Sequence, residues 1–310
     1  MTSHFERLAK SLSSTYRLTS TLGSGGNAHV YVADDLRTGR PVAIKVLREE
    51  QATSISFARF LAEINIAAKL EHPNIVPVCG SGTADGLPYY VMPFAGGETL
   101  RTRLTSLGRL SLDEALRICT DVSWALDYAH RRRVVHRDIK PENVLLRSDR
   151  AQVLDFGIAV ALDAIEHPRR TMPGSMPGTP EYMSPEQAQG ETHVDGRSDV
   201  YSLACVFYEM IWGRPPFTGA PNLVFLRQIS AEPMPLSCRL PNVPHGVSAA
   251  VARALSKTPA LRFPTAGAFV GAMRSASHTI ETRRSNEHAG AERCAIERPT
   301  FSMLEHRQTA

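Results

Sequence analysis

The sequence predicts an α+β chain in two parts, a small mainly β lobe with one helix and a larger mainly α lobe. Up to about residue 95 the apolar residues fall in short runs punctuated by glycine, proline and asparagine, with a single stretch of helical period among them. From Ser111 onward, long apolar segments recur at helical spacing instead. The 310 residues are 43% hydrophobic and 21% charged, the composition of an ordinary globular chain able to bury a sizeable core.

In order along the chain, residues 1–15 read as an N-terminal extension. Tyr16 to Leu22 reads as a strand, Gly23 to Gly26 as a flexible break, and Val30 to Ala33 as a return to extended structure. Thr38-Gly39-Arg40-Pro41 is a turn, followed by a hydrophobic strand from Val42 to Leu47. Phe57, Phe60, Leu61, Ile64, Ala67 and Ala68 then set a helix over Ser56 to Leu70. His72-Pro73 ends it, because proline pushes the preceding residue out of helical conformation. Ile75 to Val78 and Leu87 to Met92 are expected strands.

Ser111-Leu112-Asp113-Glu114 starts a long helix, with a capping serine and acids in the first turn. Leu116, Cys119, Trp124, Leu126 and Ala129 carry it on. Val134-Val135, Val144 to Leu146 and Val153-Leu154 read as short strand-like pieces. Asp163 to Gly178 is polar and expected to be a mobile loop. Helices follow at Asp199 to Trp212, Leu223 to Ser230, Ser248 to Leu255 and Thr265 to Ser277. Residues 16–277 thus form one domain, divided near residues 95–96. Residues 278–310 are polar and aperiodic, expected to be a disordered tail.

The formal charge is +4, with acids and bases interspersed, so the sequence argues against nucleic acid as a partner, and its basicity reads as solvated surface. Cys79, Cys119, Cys205, Cys238 and Cys294 are odd in number and scattered, without metal-ligand spacing, so no disulfide framework is expected and a reducing cytoplasm is. The first residues lack the apolar core of a signal peptide, and no run reaches the ~18 apolar residues of a membrane span.

Four motifs carry chemistry. In the first, Leu22, Gly23, Ser24, Gly25, Gly26, Asn27, Ala28, His29 and Val30 stand between two strands, where glycines let the backbone approach phosphate oxygens. Taken alone this is equally an ordinary hairpin. A dinucleotide fold would need a helix after the glycines. In the second, Val42-Ala43-Ile44-Lys45, a mostly buried strand carries a lysine that needs an anionic partner, for which Glu63 on the next helix is the best placed. The third, His136-Arg137-Asp138-Ile139-Lys140-Pro141-Glu142-Asn143, packs an acid able to accept a proton, a cation able to neutralise a phosphoryl group, and an amide oxygen able to ligate a hard cation. The fourth, Asp155-Phe156-Gly157, offers a second metal-binding acid.

These four motifs in this order resemble the eukaryotic-like protein kinases, and the resemblance runs from about Tyr16 to Met273. It extends to Gly178-Thr179-Pro180-Glu181-Tyr182-Met183-Ser184-Pro185-Glu186, which looks like the end of an activation segment, to the acid at Asp199, and to Arg262 as the partner of Glu186. The wording is most similar to the bacterial serine/threonine protein kinases.

The resemblance implies the bilobal kinase fold, with ATP as phosphoryl donor and Mg²⁺, or Mn²⁺ as an alternative, as metal. Gly23 to Val30 would cover the phosphates, with Leu22 also binding ATP, Lys45 would bind the phosphates and be held by Glu63, and Asn143 and Asp155 would hold the metal. Ala43, Leu145 and Val30 would enclose the adenine, Met92 would guard the back of its pocket, and Pro93 and Ala95 would bond its edge through the backbone. Asp138 would be the catalytic base and Lys140 would steady the γ-phosphate. Lys140 and Thr179 point to protein serine or threonine acceptors. Arg137 would receive a phosphate placed by autophosphorylation on Thr171 or Ser175, with self-association allowing that reaction in trans. Ala28 in place of a third glycine, Pro93 at the hinge, Ser184 and Ala204 depart from the family pattern without removing a catalytic position. The competing readings are a nucleotide-binding scaffold that has lost catalysis and a small-molecule kinase of related fold.

Overall fold

In the computed structural model the described residues are 4–24, 28–48, 64–94, 96–147, 150–156 and 179–277. Gly25, Gly26, Asn27, Glu63, Ala95, Gly157, Thr171, Ser175, most of the helix expected over 56–70, the loop over 163–178 and the tail lie outside them. Residues 64–67 are helical.

The small lobe is an antiparallel sheet of β1 (Tyr16–Ser24), β2 (Ala28–Asp35), β3 (Pro41–Leu47), β4 (Gly80–Ala84) and β5 (Leu87–Pro93), in the order β1-β2-β3-β5-β4. Strand β3 sits between β2 and β5, and its side chains alternate between the two faces. Val42, Ile44 and Val46 point to one cluster, and Ala43 and Leu47 to another that also holds Met92 and Tyr90.

The first cluster is closed by α1 (His4–Leu12), a helix within the N-terminal extension. Leu8 and Leu12, one turn apart, are buried against the sheet, with Phe5 packed beside them. Arg7 Nε bonds the Asp85 carboxylate at 2.8 Å, and Ser11 Oγ accepts the Asp85 amide at 3.0 Å, tying the helix to the β4–β5 turn.

Ile75 to Val78 does not form the expected strand. Pro77 has no amide hydrogen to give a ladder, and Ile75 makes only an isolated parallel bridge to Val153. That bridge joins the lobes, with Val76 donating to Val153 O at 3.0 Å and Val153 donating to Asn74 O at 2.8 Å.

A second sheet, β6 (Glu98–Thr99), β7 (Val144–Leu146) and β8 (Ala151–Val153), lies at the junction. Just before it Gly97 has φ 140°, and a Cβ there would sit 2.5 Å from the Leu146 carbonyl oxygen. Gly97→Ala is therefore expected to destabilise the fold by on the order of 1–3 kcal/mol, read as a lowered midpoint in thermal or denaturant unfolding.

The large lobe is helical: α2 (Leu100–Leu107), α3 (Leu112–His130), α4 (Pro185–Ala188), α5 (Gly196–Trp212), α6 (Pro221–Ser230), α7 (Leu236–Arg239), α8 (His245–Ala254) and α9 (266–277). Ser111 caps α3 as expected, accepting the Glu114 amide at 3.2 Å. Helix α5 is buried on nearly every face, from Ser198 to Ile211, and with α3 it forms the spine of the main core. Cys119 and Cys205 lie in that core. Val134-Val135 forms no strand, and β8 stops at Val153, one residue short of the expected Leu154. None of the described helices is long and apolar enough to cross a membrane.

Candidate active site

The loop from His136 to Asn143 hangs from one fully buried acid. Asp199, in the first turn of α5, accepts the amides of His136 and Arg137, each at 2.8 Å, and bonds His130 Nε2 at 2.7 Å. Burial would raise the Asp199 carboxyl, but the bond and charge of His130, aided by the loop, hold it below the usual range. Burial would likewise lower His130, and the Asp199 bond instead raises it. The loop is thus set before any ligand arrives, with Arg137 at φ 67°, a left-handed conformation kept because both flanking amides are fixed.

Within the loop, Asp138 Oδ2 receives Lys140 Nζ at 2.7 Å and Asn143 Nδ2 at 3.0 Å. Asn143 Nδ2 also donates to the Asp138 carbonyl at 2.8 Å, so its amide nitrogen is committed and its oxygen is left for a cation. The Asp138 side chain remains 40% exposed, open to an incoming hydroxyl.

Asp155 is reached from the other lobe. Its Oδ2 lies 2.6 Å from Lys45 Nζ on β3, and its Oδ1 accepts the Tyr90 hydroxyl of β5 at 2.5 Å. Burial would raise the Asp155 carboxyl, and the Lys45 ammonium outweighs it and lowers it. Among the described residues the partner of Lys45 is Asp155, and the expected Glu63 lies outside them. The two loops are also stitched together: Leu154 N donates to Asn143 O at 2.9 Å, His136 Nε2 bonds Leu154 O at 2.8 Å, and the His136 ring stands edge-on to Phe156 at 4.7 Å.

Four residues expected to enclose an adenine, Val30, Ala43, Met92 and Leu145, come together. Ala28, Ala43 and Met92 are buried in one cluster, with Val30 and Leu145 packed against it. Pro93 ends β5 opposite Val42, and Leu22 lies exposed near the end of β1. The Asn143 amide oxygen and the Asp155 carboxylate are hard oxygen donors suited to Mg²⁺, which takes few protein ligands and fills its shell from water and phosphate.

Thr179 is half-buried and leads into a tight turn, Pro180–Tyr182. Tyr182 Oη donates to Glu209 at 2.5 Å, and Arg101 bonds Glu142, Glu209 and Tyr182 together. Ser184, a departure from the family pattern, has a local reason: it caps α4 in a reciprocal box with Gln187. Gln187 Nε2 in turn donates to the Arg137 carbonyl at 2.7 Å. Glu186 pairs with Arg262 as expected, through two bonds of 2.7 Å.

Sequence reasoning missed Tyr90, Arg101 and His130. Tyr90 had a signal, since it is two residues from Met92 on one strand and so shares its face. Arg101 and His130 had none, because their partners are distant in sequence. Tyr90→Phe removes a hydrogen bond to a charged group and should lower kcat/KM by about 10–100-fold. Steady-state rates across a Mg²⁺ titration would show a raised metal requirement.

The family model for the protein kinase domain matches residues 16–262. The serine/threonine-protein kinase PknB of Mycolicibacterium smegmatis is 44% identical over 262 residues, covering 82% of this chain and 42% of the relative. The Mycobacterium tuberculosis PknB is 42% identical with the same coverage. A probable serine/threonine-protein kinase of Streptomyces coelicolor, SCO3848, is 42% identical over 82% of this chain and 39% of its own. The chain thus spans well under half the length of these relatives. The crystal structure of the Mycobacterium tuberculosis PknI kinase domain superposes with a TM-score of 0.69 at 31% identity, covering 84% of this chain and 96% of that one. With its two-lobed fold and its acid, lysine and amide gathered in one loop, this chain belongs to the protein kinase family, whose domain implies ATP and a divalent metal.

Proposed function

We propose that this chain transfers the γ-phosphoryl group of Mg·ATP to serine and threonine hydroxyls of protein substrates. The observation that carries this is the bonded cluster of Asp138, Lys140 and Asn143, open to solvent at the acid and joined through Leu154 to Asp155 and Lys45.

The adenine would lie among Val30, Ala43, Met92 and Leu145, with the backbone of Pro93 and Ala95 at its edge. The Gly23–Val30 segment would cover the phosphates and Lys45 would bind them. Asn143 and Asp155 would hold Mg²⁺, which when bound supplies neutralisation of phosphate charge. Asp138 takes the proton of the acceptor hydroxyl as its oxygen bonds to the γ-phosphorus, the bond from that phosphorus to the bridging oxygen breaks, and ADP departs. Lys140 offsets charge on the phosphoryl oxygens during transfer.

Regulation by autophosphorylation extends this reading. Arg137 Nε is buried without a hydrogen-bond partner among the described residues, which supports a docking role toward phosphorylated Thr171 or Ser175. Self-association would allow that reaction in trans, and the cytoplasm would supply the ATP. Phosphopeptide mapping of active protein should find one of the two modified.

Peptides identical except for a serine, threonine or tyrosine acceptor test the main reading. Label from γ-labelled ATP should enter the first two and not the third. Label in none would favour a nucleotide-binding scaffold.

A further inference from the structure

Arginines from distant parts of the chain meet on the surface of the large lobe. Arg103 comes from α2, Arg117 from α3, Arg147 and Arg150 from either side of the β7–β8 connection, and Arg274 from α9. They border a concavity of 340 Å³. Its apolar lining includes Ile118, Leu146 and Trp124, and Trp124 is 55% exposed on a helix whose other side is core. A tryptophan held in water beside a concave cationic surface is an apolar contact without a partner.

The acids of the groove are already engaged. Glu114 bonds Arg103 at 2.9 Å, and the Asp121 carboxylate accepts the Ala151 amide at 2.7 Å. Among the described residues Arg117 and Arg147 have no ion pair, and the Arg274 guanidinium makes a 3.5 Å contact with Thr120. Among the described residues five guanidinium groups thus face two carboxylates, and three of the five have no carboxylate partner there.

The groove also has a defined relation to the nucleotide pocket. Leu145 packs toward the cluster of Ala43 and Met92, whereas Leu146, next on the same strand, lines the groove. Neighbouring residues of a strand point to opposite faces. The groove therefore backs onto the nucleotide pocket without sharing its residues. A second concavity, lined by Gly96, Gly97 and Glu98, shares Arg103, Leu146 and Arg147 with it and extends the surface toward β6.

We propose that this groove docks an acidic peptide segment of the protein substrate, with carboxylates on Arg117, Arg147 and Arg274 and an apolar side chain on Trp124. Planar guanidinium forks match carboxylates geometrically. Glu114 and Asp121 within the same groove disfavour the continuous phosphate chain of a nucleic acid. The inference rests on the reading of this chain as a protein kinase. Because the groove lies apart from the catalytic loop, docking raises the local concentration of substrate and leaves the chemical step unchanged.

The test uses the full chain and a serine acceptor peptide, alone or joined by a glycine–serine linker to a segment of alternating glutamate and leucine. The joined peptide should show a KM lower by about tenfold or more at equal kcat. Arg117→Glu with Arg147→Glu should remove that gain while leaving the plain peptide's kinetics as they were. Independently of activity, the glutamate–leucine segment alone should shift the fluorescence of Trp124, a shift lost in Trp124→Phe. Equal KM for the joined and plain peptides, or the same gain from a lysine–leucine segment, would overturn the docking site. So would single-stranded DNA displacing the acidic segment at lower concentration. Failure to phosphorylate even the plain peptide would count against the kinase reading instead, with the fluorescence titration still deciding the groove.

Discussion

Asp155→Asn should lower phosphoryl transfer to roughly a thousandth of the wild-type rate or less, a loss of about 4 kcal/mol of transition-state stabilisation. Asp155 is the point where the two lobes meet chemically: Lys45 reaches it from β3, Tyr90 from β5, and Leu154 beside it is bonded to Asn143. Asparagine keeps the shape but removes the charge that a divalent cation needs. If its amide nitrogen turns toward Lys45, two donors face one another. In a water-excluded site neither loss is made up by solvent. Initial rates at saturating nucleotide, measured across a Mg²⁺ titration, should show a collapse that added metal does not restore. The Ala43, Met92 and Leu145 pocket is untouched, so metal-free nucleotide binding should persist.

Arg262→Ala should destabilise the large lobe by about 3–5 kcal/mol, the cost of leaving a buried carboxylate without its partner. Arg262 is only 2% exposed and holds both oxygens of Glu186. It also donates to the carbonyls of Arg197, Ser256 and Lys257, so one guanidinium joins α4, α5 and the segment before α9. Ser198 Oγ completes the shell of Glu186. Arg262→Lys is no substitute, since an ammonium cannot reproduce the planar fork.

Burial would raise the Glu186 carboxyl, and the Arg262 bonds instead hold it below its ordinary value. A carboxyl lowered in the folded state stabilises above its unfolded value and loses that contribution as pH falls through the folded one. The wild type should therefore lose stability on acidification in that range, and Glu186→Gln should flatten that part of the profile in denaturant melts. Activity should suffer too, because Gln187 of α4 bonds the Arg137 carbonyl in the loop that carries Asp138.

Much of this site was legible because its motifs are local. Asp138, Lys140 and Asn143 sit within one short loop, and their proximity follows from spacing alone. Ser111 declared the start of α3 through side-chain chemistry that acts within a single turn. What escaped was long-range or masked by composition. Helix α1 lies in a short extension that gains stability only against the sheet. Helix α2 buries just Leu100 and Leu104, too few to set a period. Ile75 to Val78 looked like a strand by hydrophobicity, but Pro77 cannot donate to one.

Electrostatic partners were the hardest to read. Lys45 plainly needed an anion, and the choice of Asp155 depends on how the lobes close. The interspersed charge suggested a mildly basic, solvated surface, yet folding gathers arginines from α2, α3, α9 and the β7–β8 connection around Trp124.

The most direct measurement compares wild type with Asp138→Asn for ATP affinity and for transfer of γ-labelled phosphate to a serine peptide in the presence of Mg²⁺. Asp138 as the base predicts equal affinities and a fall in transfer of about 10²–10⁴-fold. Transfer by Asp138→Asn at the wild-type rate, or none by the wild type under conditions where it binds ATP, would contradict it.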